Sequence, residues 1–429
     1  MSLGGRERLA GRSGSGHSAL DRTTSPSSRA RLVTFNKDVA PIIFRHCSGC
    51  HHPGEVAPFP LLTYQDVKVR AELVGSVTES RYMPPWGAEP GYASFQHVRR
   101  LSNEEIATIK QWVAEGTPQG KAEDLPPAPQ FVDGWQLGQP DLVLKMPQAY
   151  EVTPGGKEFY RCFPIPTGLT TDEYLKALEF RPSGHKVVHH AILVQDAHQA
   201  GRRLEATPGQ GYPCGGGFGF AMPGMLAVWT AGTMPTPDPE GIATLLKKDS
   251  DLVVQIHFRP GKDTEQEQAR IGLHFSKRPP ARTPIDLALA CYDIDIPPGA
   301  KDYKLRAFSY VPFDVEALSI FAHAHYLARA VRATATLPDG TVEPLLWIKN
   351  WAFDWQENYW FAAPLLLPQG TRLDMEFTYD NSSENPRNPN HPPRRVTWGF
   401  LTTDEMGEIH LRAVAVNGKP GDPRGMDAH

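Results

Sequence analysis

The chain has 429 residues, enough for about three domains at the usual ~150 residues each. Charged residues make up 21% and the formal net charge is −4, without the basic excess of a nucleic-acid-binding protein. No apolar run approaches the ~20 residues of a membrane span, and a hydrophobic content of 40% excludes disorder for the bulk of the chain.

The opening segment, Met1 to Ala30, is rich in Ser, Gly and Arg and lacks the apolar stretch of a secretory signal. Residues 1–31 therefore read as a disordered tail. Asp38 to His46 predicts a short helix interrupted by Pro41. Cys47-Ser48-Gly49-Cys50-His51 follows, with the spacing of a c-type haem attachment site. Two thiols separated by two residues can each add to a haem vinyl group, and the next His can then ligate the iron. A structural zinc site would need a second ligand pair nearby, yet the next cysteine is Cys162. A redox CxxC needs no His and prefers a βαβ setting. Covalent haem is assembled outside the cytoplasm, so the expected location is periplasmic or secreted.

Thr63 with Asp66, and Ser102 with Glu105, each have capping-box spacing before an apolar stripe. The first stripe is Val67, Ala71, Val74 and Val77. The second is Ile106, Ile109, Trp112 and Val113, closed by Gly116 and Pro118. Met83, in Arg81-Tyr82-Met83-Pro84-Pro85-Trp86, is the natural sixth ligand of a haem iron. The alternatives are His97 or an open position. These elements predict an all-α haem domain over residues 32–120, with a Pro- and Gly-rich linker at 121–140.

Beyond residue 140 the periodicity changes to two. Arg372 to Tyr379 alternates strictly. Val331, Ala333, Ala335 and Leu337 alternate up to a Pro338-Asp339-Gly340 turn that leads into Val342. Asp251 to Phe258 and Leu318 to Tyr326 also read as strands. Many short strands with Pro and Gly turns predict two β-sandwiches, at 141–285 and 286–418, before a flexible tail at 419–429. Three strand-like runs carry histidines: Val188-His189-His190-Ala191, Gln255-Ile256-His257-Phe258 and Phe321-Ala322-His323-Ala324-His325. His323 and His325 share one face of a strand, and His257 opposes Val254, Ile256 and Phe258. His189 and His190 reach one ion together only at a bend or bulge. Five imidazoles in apolar strands point to a metal, and zinc, copper, iron and nickel all suit them.

In order along residues 140–415, these histidine motifs and Thr403-Asp404-Glu405-Met406, preceded by Tyr379-Asp380-Asn381-Ser382, resemble the copper type II, ascorbate-dependent monooxygenases. That family includes peptidylglycine α-hydroxylating monooxygenase and dopamine β-monooxygenase. The N-terminal part is similar to a class I cytochrome c. The resemblance implies two jelly-roll-like sandwiches and two copper ions, beside one haem held by Cys47, Cys50, His51 and Met83. One copper would be held by His189, His190 and His257 and pass electrons. The other, at His323, His325 and Met406, would meet dioxygen during hydroxylation of a substrate C–H bond. The haem, or ascorbate directly, would supply the electrons. Cys162 and Cys214 match the positions of a family disulfide, and Cys291 is left without an evident partner.

Peptide-amidating members carry an Arg and a Tyr where this chain has Phe321 and His410, and a Cys where it has Gly407. A cation for a substrate carboxylate is therefore missing at that point, so a small-molecule or peptide-like substrate other than a peptidylglycine is expected. Trp351, Trp355 and Trp360 are candidate pocket aromatics. A zinc hydrolase or lyase, or a non-enzymatic haem and copper electron-transfer protein, remain the alternatives.

Overall fold

A computed structural model describes residues 31–131, 134–221 and 224–417. The tails expected at 1–31 and 419–429 lie outside these residues, apart from Arg31. Asp38 to His46 is not a helix interrupted by Pro41. A π turn, Phe35–Val39, runs into helix α1, Ala40–His46, and Pro41 occupies its first turn. There the missing N–H costs little, because first-turn amides lack an intrahelical partner. Thr63 and Asp66 form their capping box at α2, Tyr64–Lys68, but the helix breaks at Arg70 and resumes as α3, Ala71–Glu79. Ser102 and Glu105 cap α4, Asn103–Ala114, and Gly116 beyond it takes a φ of +81°, which a Cβ would resist. Phe35, Ile43, Val67, Ile109 and Trp112 close a small core between these helices. No helix among the described residues is long and apolar enough to cross a membrane.

The described part of 117–141 holds one short 3-10 turn, Ala122–Asp124. It does not hang free, for Trp135 lies so close over Gly272 that an added Cβ would stand 2.9 Å from the indole.

Most of the remaining chain is sheet. The first unit contains β1 Leu142–Lys145, β2 Tyr150–Val152, β3 Phe159–Pro166, β4 Glu173–Arg181, β5 Val188–Asp196 and β6 Tyr212–Pro213. It continues with β7 Met225–Thr230, β8 Thr244–Leu246, β9 Asp251–Phe258, β10 Glu265–Glu267 and β11 Arg270–Phe275. Its sheets, ordered β6-β3-β9-β5-β7 and β1-β11-β4-β8, enclose Phe163, Leu193, Val254, Phe258 and Ile271. Side chains of this size contribute roughly 1.5–3 kcal/mol each when fully buried.

The second unit runs through β12 Pro284–Ala290, β13 Asp295–Ile296, β14 Tyr303–Tyr310, β15 Val315–His323 and β16 Ala328–Thr336. It ends with β17 Val342–Ile348, β18 Asn358–Leu367, β19 Arg372–Tyr379, β20 Val396–Thr397 and β21 Glu408–Ala415. Here the sheets β12-β21-β15-β18 and β14-β19-β16-β17 face each other across Ile320, Val331, Phe377 and Leu411. The expected strands at 251–258 and 372–379 match β9 and β19, and β12 opens at Pro284, two residues before the expected boundary.

Residues 86–99 strap the helical unit to the second sandwich. Ala88 bridges Ile348 on β17, and Phe95 bridges Phe361 on β18. The amide of Gln96 donates to Trp360 O, and that of Ala362 donates to Ser94 O. Trp86 and Phe95 pack on Tyr359, at ring-centroid distances of 5.1 and 5.3 Å.

Candidate metal centres

On β5, Val188 pairs with Phe258 of β9 and His190 pairs with His257, so His189 is the extra residue of a bulge. The bulge does what a regular strand forbids and turns two adjacent imidazoles to one side. The Nδ1 atoms of His189 and His190 lie 3.1 Å apart, and His257 joins them with one ligand atom from each ring within 4.8 Å of the others. Tyr160 stacks on His257 at 4.3 Å. Burial, reinforced by the neighbouring imidazoles, keeps His190 well below the usual histidine pKa. Burial also lowers His257 to about 4, against the opposing pull of Glu158. Both are therefore neutral, the state that ligates metal.

Both nitrogens of His257 and Nε2 of His189 are buried without a hydrogen-bond partner. Two carboxylates stand nearby but off the hydrogen-bond axis. Glu158 is 3.2 Å from His257 Nε2, and Asp354 is 3.3 Å from His189 Nε2. Each unpartnered buried polar atom costs roughly 1–3 kcal/mol, and a coordinated ion would remove that cost at the one nitrogen of His257 that it took. The donor set fits copper, and equally other imidazole-binding ions.

The second group departs from the expected strand geometry. His323 is the last residue of β15, paired with Glu408, whereas His325 has already left the sheet. The sheet ends because the carboxylate of Glu405 takes over the backbone donors. It accepts from the amides of His325 (2.9 Å), Leu327 (2.6 Å) and Met406 (3.2 Å). Burial raises Glu405 to about 8 against these backbone bonds. The rings of His323 and His325 nevertheless meet edge to face at 5.3 Å. Nδ1 of His323 lies 2.7 Å from Gln356 Oε1, and Nδ1 of His325 lies 3.1 Å from Asp404 O. With Nδ1 assigned as the donor in each, Nε2 is left for a ligand. Burial lowers His323, and lowers His325 to about 3. Met406 follows Glu405 in the chain and is buried, and its carbonyl accepts from the Tyr379 hydroxyl at 2.7 Å. Among the described residues only the first group brings together three His, Cys or carboxylate donors. The second group would be completed by the thioether.

Phe353 lies between the two groups, stacked on His189 at 4.7 Å and edge-on to His325 at 5.8 Å. A cleft between the sandwiches, about 520 Å³ in volume, runs over the β12-β21-β15-β18 sheet and is lined by Ser319, Phe321, Trp360 and His410. His410 is held by Asp286 at 2.9 Å and Glu408 at 3.4 Å, which raise it to about 10 despite burial. Trp360 alone of the three candidate tryptophans lines this cleft. Trp351 is buried, with Nε1 donating to His325 O at 3.1 Å, and Trp355 packs on Tyr82 at 5.7 Å. At Gly407 an added Cβ would come within 2.7 Å of the Tyr379 hydroxyl, so this fold has no room for a larger residue there.

In the helical unit, Cys47 and Cys50 are free thiols in the turn after α1. Burial pushes Cys47 up to about 12 and raises Cys50. His51 Nδ1 faces Phe59 O at 3.0 Å, and with Nδ1 as the donor Nε2 is left free. Cys50 borders a cavity shared with Phe180, Trp229 and Met234 of the first sandwich. Met83 is half-buried beyond α3, where its amide donates to Val77 O. No described hydrogen bond joins it to His51. The disulfide Cys162–Cys214 is present, with Cα atoms 5.9 Å apart, and Cys291 is a free thiol.

Sequence reading missed Glu158, Asp354, Gln356 and the role of Glu405. Each acts from a loop or strand end, where no periodicity marks it. Only Glu405 was signalled, by the uncommon polarity around Met406.

No protein-family model and no curated protein matches the chain. Among solved structures it is similar to three particles of infectious bursal disease virus. The VP2 subviral particle is 9% identical with a TM-score of 0.20, over 66% of this chain and 73% of that one. The T=1 particles are 10% identical with a TM-score of 0.17, over 64% and 76%. The Gx strain is 10% identical with a TM-score of 0.17, over 67% and 74%. Likeness this slight carries no argument about function.

Proposed function

We propose that the chain is a copper-dependent monooxygenase that hydroxylates a C–H bond of a small molecule and carries its own c-type haem unit. The observation that carries the reading is the convergence of two imidazole groups on one ring, Phe353. One group is a ready triad, and the other is tied through Glu405 to a buried methionine. His189, His190 and His257 would hold one copper, and His323, His325 and Met406 the other. Cys47, Cys50 and His51 would hold the haem, with Met83 as its sixth ligand. The bound coppers would supply one-electron exchange and dioxygen activation.

The chain's own residues do the rest. Tyr160 and Phe353 shield the imidazoles from water, and Gln356 and the Asp404 carbonyl fix the ring orientations. A thioether beside two imidazoles favours Cu(I), the state that meets dioxygen. With Phe321 and a carboxylate-clamped His410 beside the second centre, the cleft suits a substrate without a carboxylate there. One substrate C–H, one dioxygen, two electrons and two protons give one C–OH and one water, so a reductant is required. Ascorbate or a protein donor reaching the haem would serve, outside the cytoplasm where covalent haem is assembled.

The test is metal analysis of the purified holoprotein followed by oxygen uptake with ascorbate and a panel of small C–H substrates. Two coppers, one haem and 18O from dioxygen in the product are expected. One zinc with no copper would overturn the proposal in favour of hydrolysis or lyase chemistry.

A further inference from the structure

One seven-residue segment of the second sandwich touches the histidines of both centres. Trp351 donates to the carbonyl of His325. Phe353 contacts His189 and His325. Asp354 Oδ1 lies 3.3 Å from His189 Nε2 and accepts from Arg259 at 2.8 Å. Gln356 faces His323 at 2.7 Å, and its Nε2 donates back to Phe353 O at 3.0 Å, which ties the turn to itself. The Thr230 hydroxyl, on the first sandwich, donates to Gln356 O at 2.9 Å. Glu357 pairs with Arg99 of the helical unit.

We propose that residues 351–357 are a strut coupling the two centres, with Asp354 the positioning residue that orients His189 across the gap between the sandwiches. The inference rests on the reading of His189, His190 and His257 as a metal site. Nδ1 of His189 points at His190, so a metal there leaves the proton on Nε2. Asp354 Oδ1, 3.3 Å away and off that N–H axis in the metal-free chain, is the carboxylate that a small turn brings onto it. An oriented imidazole is a better ligand, and removing such a partner weakens metal binding by about 10–100-fold. Gln356 is two residues away and almost fully buried, so a shift of Asp354 toward His189 is transmitted to His323. Arg259 also holds Asp354 and reaches Glu158 at 3.0 Å, which offers a rival explanation in which Asp354 merely joins the sandwiches.

The experiment uses the full, haem-loaded chain in a His323→Ala background, so that Cu(II) reports the first site alone. Cu(II) affinity is measured against a competing chelator, together with the electron paramagnetic resonance spectrum. Asp354→Asn should weaken binding about 10–100-fold and change the copper hyperfine coupling, with the thermal midpoint unchanged. Arg259→Met should leave affinity within about threefold. In wild-type protein, Cu(II) at the first site should slow amide exchange across 351–357, and Asp354→Asn should abolish that slowing. Unchanged affinity in Asp354→Asn, an equal loss in Arg259→Met, or exchange that ignores copper would each overturn the strut. Absence of Cu(II) uptake by the parent chain would overturn the metal reading as well, so the two failures are distinguishable.

Discussion

The two sandwiches build their histidine groups in opposite ways. The first places all three imidazoles on adjacent strands of one sheet, with a single bulge supplying the convergence. The second spreads its donors over the end of β15, the coil after it and the loop before β21, and Glu405 gathers them through backbone amides. A triad on paired strands is stiff and suits a centre that exchanges electrons with little rearrangement. A set assembled from loops by one carboxylate can adjust its ligands, as the dioxygen-binding centre proposed above would need.

Four results bear on that contrast, in order of decreasing effect. His190→Ala should empty the first site and leave the second loaded, read by copper per chain. Loss of both ions would show that the groups are not independent. Glu405→Ala leaves three amides unpaired and should cost about 4 kcal/mol, measured by urea unfolding, with copper lost from the second site only. Breaking the first sandwich's staple with the double variant Cys162→Ala and Cys214→Ala should cost about 3 kcal/mol and spare the second site. Gly407→Ala forces a methyl against Tyr379 and Leu305, and should cost about 2 kcal/mol, seen as a lower thermal midpoint.

The acid sensitivity of the metal-free protein refines the comparison. His257 and His325 have folded pKa values near 4 and 3, below the ordinary value of 6.5. Between those limits the unfolded chain binds more protons than the folded one. Their contribution to stability is therefore complete above about pH 6.5 and is lost as pH falls toward 4 and then 3. His410, raised to about 10, behaves oppositely, and its contribution fades as pH rises through 10. Thermal midpoints at pH 7.5, 5 and 10 check both arms, and a flat acid side would show that the imidazoles are not buried as described.

Much of this architecture is legible in local pattern. The capping boxes at Ser102 and Thr63 and the alternation over Arg372 to Tyr379 mark their elements because each depends on residues a few positions apart. The break at Arg70 and the end of β15 at His323 were not legible. Each is decided by tertiary partners, and Glu405 stands 80 residues beyond the His325 amide that it captures. Asp354 and Gln356 were hidden for the same reason. A single Asp or Gln in a coil has no periodicity, and its role exists only once the sandwiches meet.

The strap at residues 86–99 has a consequence for handling the protein. β17 and β18 are the outermost strands of their two sheets, and the strap is bonded to both. Uncovered strand margins recruit other chains. A truncated version starting at Asp141 would present two raw margins at once and should clump at low concentration, even with both sandwiches correctly folded. The N-terminal helices thus arrive with a guard that keeps the two sandwiches from clumping.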